Sequence, residues 1–109
     1  MVDPLSGDGR INPQTQQVYK QEFAEGAKLF QQSLQQYQNS NIPAQKEAFK
    51  DVMKKALNIM NETAQLCLSK EAQKKESKLN DDFANFDAND SAQNTKALDS
   101  SINSLNRSL

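Results

Sequence analysis

The segment Asn39-Ser40-Asn41-Ile42-Pro43 separates two long stretches of helical periodicity and contains the last proline of the chain. Asn and Ser side chains can satisfy free helix ends. Pro43 suits a first helical turn because it lacks the N–H that would have no partner there. On its N-terminal side, Tyr19, Phe23, Ala27, Phe30, Leu34 and Tyr37 recur at steps of four and three, which lines them along one side of a helix. On its C-terminal side, Phe49, Val52, Met53, Ala56, Ile59, Met60, Thr63, Leu66 and Cys67 follow the same spacing, and Leu57 and Leu68 widen the apolar face. Two amphipathic helices joined by so short a connection predict an antiparallel hairpin.

Working outward, Asn12-Pro13 reads as a cap and first-turn pair, so the first helix is expected from about residue 13 to 38. Its remaining surface is rich in glutamine and nearly uncharged. Gly26 interrupts it, at a cost of about 1 kcal/mol relative to Ala if exposed, and permits close approach of another backbone. Before it, residues 1–12 contain Pro4, Gly7 and Gly9, a turn-forming composition that predicts a disordered or extended leader.

Beyond Leu68 the pattern becomes polar. Glu71 and Lys75 form a favourable i,i+4 pair, and a displaced stripe of Leu68, Ala72, Leu79, Phe83 and Phe86 extends the helix to about residue 85. The cluster Asp87, Asn89, Asp90 and Ser91 predicts a break, with Asp90 or Ser91 capping a last helix whose apolar positions are Leu98, Ile102, Leu105 and Leu109. The expected fold is therefore all-α: an antiparallel, coiled-coil-like helical hairpin with a further C-terminal helix and a mobile N-terminal leader. A single helical domain spans 13–109, with helices at about 13–38, 44–85 and 91–107.

Composition narrows the function. With 109 residues, 36% of them hydrophobic and 6% aromatic, the chain has apolar area for narrow stripes rather than a thick core. Its net charge of -1 argues against nucleic acid as a partner, because phosphate neutralisation needs an excess of Lys and Arg. No apolar run approaches the ~20 residues needed to span a bilayer, so no membrane insertion is expected. No secretory signal is evident and Cys67 has no second cysteine to pair with, which predicts cytoplasmic synthesis and leaves a signal-independent export route open.

The residues that carry most chemistry are missing. The chain has no His, so Ser-His and Cys-His nucleophile systems and the usual zinc sets cannot be built. Cys67, on the apolar side of the second helix, reads as a small hydrophobe. A calcium loop started at Asp87 fails, because Ala92 stands where the turn Gly belongs and Leu98 where the bidentate Glu belongs. Glu22 and Glu25 read as a solvated helix face. No enzyme, metal, cofactor or small-molecule substrate is expected.

What remains is surface. Lys46, Lys50 and Lys54 share a face, as do Lys70, Lys74 and Lys78, and these contrast with the acidic region after Leu79. Such a face is solvated in most proteins; the functional alternative is electrostatic matching between subunits. Phe83 and Phe86, one helical turn apart in an acidic frame, either anchor in a partner's groove or close the core of a helical hairpin. With Leu79, Leu98, Ile102 and Leu105 they are the candidate protein-interaction residues. The expected function is a non-enzymatic helical interaction module, an adaptor or small chaperone-like protein acting on a protein partner or a homo-oligomer. The alternative is a self-assembling structural or filament subunit.

In general plan the chain resembles small hairpin proteins of bacterial secretion systems, including type III needle subunits and their co-chaperones. The shared features are a leader with Gly and Pro, a glutamine-rich helix, the turn at Asn39–Pro43 and a second amphipathic helix. The resemblance covers Pro13 to about Leu68 and rests on plan, not on a motif. From Ser69 onward the chain departs from a needle subunit, which ends soon after its second helix. Another hairpin family of this length, marked by Trp-x-Gly at the turn, fits less well because that motif does not occur. The resemblance implies a bacterial, secretion-associated protein and carries over no functional residue.

Overall fold

The computed structural model describes residues 13–109, and the leader expected at 1–12 lies outside them. The described chain forms four helices and no strand: α1 (Pro13–Asn39), α2 (Pro43–Cys67), α3 (Lys70–Ala88) and α4 (Ala92–Arg107). Three connections of two or three residues force each helix to run back along the one before it. α1 packs on α2 and α4, and α3 packs on α2 and α4, so the helices form a four-membered up-down-up-down bundle.

The α1–α2 hairpin follows from its sequence. Pro43 stands at the start of α2, and no side chain of Ile42 caps it. Ser40 does the work of closure instead: its Oγ accepts from the Ile42 N–H at 3.3 Å and donates to Gln45 Oε1 at 3.2 Å. Halfway along, Gly26 lets the two backbones meet. A methyl group there would lie 3.0 Å from Met60 Cγ and 3.3 Å from the Ala56 carbonyl oxygen.

The single second helix expected over 44–85 is instead two helices, divided at Leu68–Ser69. Leu68 is extended, and the Ser69 Oγ caps α3 by accepting from the Ala72 N–H at 3.2 Å. The Gln73 side-chain amide donates to the Leu68 carbonyl at 3.0 Å, serving a group that helix termination would otherwise leave free. The displacement of the apolar stripe after Leu68 thus marks a new helix, not a rotation within the old one. Turning the chain there lets Leu79, Phe83 and Phe86 face α1 and α2. The second break falls where the polar cluster predicts it: Ser91 caps α4, its Oγ accepting from the Asn94 N–H at 3.2 Å. α3 runs through Asn80, Asp81 and Asp82 to Ala88.

One core runs through the bundle, with Phe23, Phe30, Leu34, Met53 and Met60 from the first hairpin meeting Leu79, Phe86, Leu98, Ile102 and Leu105 from the second. Phe30 meets Phe83 edge-on at 5.8 Å between ring centres, and Tyr37 meets Phe86 at 5.0 Å. These contacts across the hairpins take the edge-to-face geometry that aromatic quadrupoles favour.

Candidate interaction surface

The six residues expected to face a partner come together, but inside the molecule. Leu79, Phe86, Leu98, Ile102 and Leu105 are wholly buried and Phe83 is 6% exposed. In the folded chain they line the core, the alternative that the sequence left open for Phe83 and Phe86. The cause is the turn at Leu68–Ser69, which folds α3 and α4 onto the stripes of α1 and α2, so the apolar edge that a straight helix would leave bare is covered by the chain's own second half.

The charge contrast is likewise matched within one chain. Lys50 and Lys54 on α2 reach Asp87 at the end of α3, at 3.7 and 3.8 Å. The Lys50 ammonium also lies 5.4 Å from the centre of the Phe86 ring, and that of Lys46 lies 5.2 Å from the centre of Tyr37, distances at which a cation is attracted to the ring face. On α3, Lys78 pairs with Asp82 one turn on at 2.8 Å, and Lys75 donates to Ser108 on the far side of the hairpin.

Around the aromatic centre the two hairpins are joined by polar contacts. Asn61 and Asn80 exchange side-chain amide hydrogen bonds at 3.0 and 2.9 Å between α2 and α3. Between α1 and α4, Gln31 donates to Asn103 at 2.7 Å and accepts from Asn106 at 2.8 Å. The Tyr37 hydroxyl donates to Asp90 at 2.5 Å. Burial first, and then the adjacent Asp90 carboxylate, push the Tyr37 hydroxyl up to about 12, and the same hydrogen bond holds Asp90 below the ordinary carboxylate range.

Two features of the surface remain open. At the end of the bundle that holds the α2–α3 turn, a cleft of about 480 Å³ is walled by Phe23 and Ala24 of α1, Cys67, Leu68, Ala72 and Leu109. Gln17, Lys20, Gln21, Ser69 and Ser108 edge it with polar groups. Its volume lies in the range of pockets that take an organic ligand or a partner's side chain. The Cys67 thiol in its wall donates to the Thr63 carbonyl at 3.2 Å; burial pushes the thiol up, with the Lys20 charge acting the other way, so it stays protonated and is a poor nucleophile. On the outer face of α1 and α2, Leu29 and Ile59, 40% and 41% exposed, flank a shallow groove edged by Glu22, Glu25 and Glu62. None of these glutamates forms an ion pair with a described residue.

The cleft escapes sequence inspection because its walls come from three separated segments. The one local signal is the displacement of the stripe that begins with Leu68 and Ala72 from the apolar stripe of α2. Among the described residues, no three His, Cys, Asp or Glu side chains are grouped so as to hold a metal ion, and no helix is long and apolar enough to cross a membrane. The buried acid Glu76, which burial pushes upward against a hydrogen bond from Asn80, lies on α3 and is not among the residues that wall the cleft. Comparison with known protein families, with curated proteins and with solved structures found no match to this chain.

Proposed function

We propose that this protein is a non-enzymatic helical interaction module, an adaptor or chaperone-like protein that receives an apolar group of a protein partner at the end of its bundle. The observation that carries this reading is the cleft itself: an apolar concavity of about 480 Å³ whose floor is a packed core and whose edge supplies hydrogen-bonding groups. Partner anchors bind in such settings because a large side chain is desolvated in one step while rim groups fix its orientation. Phe23 and Ala24 on α1, Cys67 on α2 and Ala72 on α3 are held by helices, so little ordering cost opposes association at these walls.

Ala24 is exposed on the cleft wall, and Ala92 is exposed at the opposite end of the bundle. Affinity capture from the native host, quantified by mass spectrometry, is expected to recover the same partner with the wild-type chain and with Ala92→Trp. Ala24→Trp, which fills the cleft, is expected to lose it by tenfold or more. Equal recovery with all three chains would rule out the cleft, and the absence of any partner specific to the native chain would end the interaction reading.

A further inference from the structure

We infer that the α3–α4 hairpin can leave its own α1–α2 hairpin and occupy the same position on a second copy of this chain, giving a dimer by exchange. Three observations lead there, none of which depends on the cleft. First, the junction between the two hairpins is built like an interface between molecules. A buried aromatic centre, Phe30, Phe83 and Phe86, is ringed by side-chain amides and ion pairs, the anatomy of an interface core and rim.

Second, the two hairpins are tied by only Leu68 and Ser69. A connection this short must reverse the chain within two residues, and short hinges of this kind favour exchange. Third, nothing in the hinge forbids a helix. Leu68 (φ −96°, ψ 148°) and Ser69 (φ −64°, ψ 164°) depart from helical geometry almost wholly in ψ, and the Gln73 N–H already donates to the Ser69 carbonyl at 2.9 Å. Neither Gly nor Pro occurs after residue 43. Rotation at these two residues would join α2 and α3 into one rod about 70 Å long at 1.5 Å per residue. Every contact now made between the hairpins would then be remade between two copies related by a twofold axis. The continuous helix that the periodicity favours and the bundle that burial favours are thus alternative states of one sequence.

Ser69 separates them. Ser69→Ala removes the Ala72 cap that holds the turn and places the best helix former in the rod, so it favours the dimer. Ser69→Pro does the reverse. Its φ already matches proline, Leu68 before it is extended as a residue preceding proline should be, and the Ser69 N–H donates no hydrogen bond to a described residue. Proline inside the rod, however, would break it.

The test is refolding of the full chain from urea across a concentration series, followed by size-exclusion chromatography with light scattering. The wild-type chain is expected to yield a dimer in proportion to the concentration at refolding. Ser69→Ala should tighten it by about fivefold or more, and Ser69→Pro should weaken it by more than about a hundredfold. Absence of dimer in both the wild-type chain and Ser69→Ala would overturn the proposal. So would a dimer that forms equally well in folded Ser69→Pro. Should Ser69→Pro fail to fold, the comparison of Ser69→Ala with the wild-type chain decides alone.

Discussion

Glu76 illustrates how one buried side chain shapes the pH response of the whole bundle. Its carboxyl is 7% exposed and is pushed upward by burial, with only the Asn80 amide favouring the ionised form. A raised carboxylate means the folded state holds its proton where the unfolded chain has lost it, so stability falls as pH rises through that raised value. Glu76→Gln keeps an acceptor for Asn80 and removes the charge; it should stabilise the protein at neutral pH by on the order of 1 kcal/mol, read from urea midpoints. Asp82 works the other way. Burial alone would raise it, but hydrogen bonds from Lys78 and Ser101 together with the Lys78 charge hold it below the ordinary range. Its contribution, like that of Asp90, is present above the ordinary carboxylate range and is lost as pH falls through the lowered values. At the alkaline end Tyr37 governs. An unfolded tyrosine ionises near 10.0 but this one at about 12, so stability should decline as pH rises between those two values. Tyr37→Phe should flatten that decline, and an unchanged alkaline limb in urea titrations would mean that the hydroxyl is not held as described.

At the scale of the helix, caps and close approaches decide where each element starts, stops and rests. The stripes of α1 and α2 are legible because period and burial agree, and Gly26 marks the level at which the backbones meet. Val at this position would gain helix propensity over Gly but drive its methyls toward Met60 and the Ala56 carbonyl. Gly26→Val is therefore expected to lower stability by about 1–3 kcal/mol, and a rise in thermal midpoint would show that the seam has room to yield. The α2–α3 boundary was less legible. A serine among Leu68, Lys70 and Glu71 carries no strong stop signal, and the favourable i,i+4 spacing of Glu71 and Lys75 argues for continuation. In the folded bundle Lys75 reaches Ser108 instead. A cap worth about 1 kcal/mol is too small to end a helix by itself; burial of Leu79, Phe83 and Phe86 against the first hairpin is what makes the turn worthwhile.

Across the whole molecule, stability rests on the junction between the hairpins, and Phe86 lies at its centre, wholly buried between Tyr37 and Phe83 and beneath Lys50. Phe86→Ala should cost about 3–5 kcal/mol in the isolated chain. Retention of the wild-type urea midpoint would instead return this ring to a role outside the core. The linear order of residues was sufficient to determine the all-helical class, the hairpin across Asn39–Pro43 and a helix break in the polar cluster Asp87–Ser91. These follow from local terms: backbone preference, capping and side-chain spacing within a few turns. Which stripe covers which was decided only in three dimensions. The fate of Phe83 and Phe86, the pairing of Lys50 and Lys54 with Asp87, and the cleft around Cys67 all depend on residues distant in the chain. An apolar stripe records that something must cover it, but burial is non-directional, and the same free energy is gained whether the cover is the chain's own second half or another molecule.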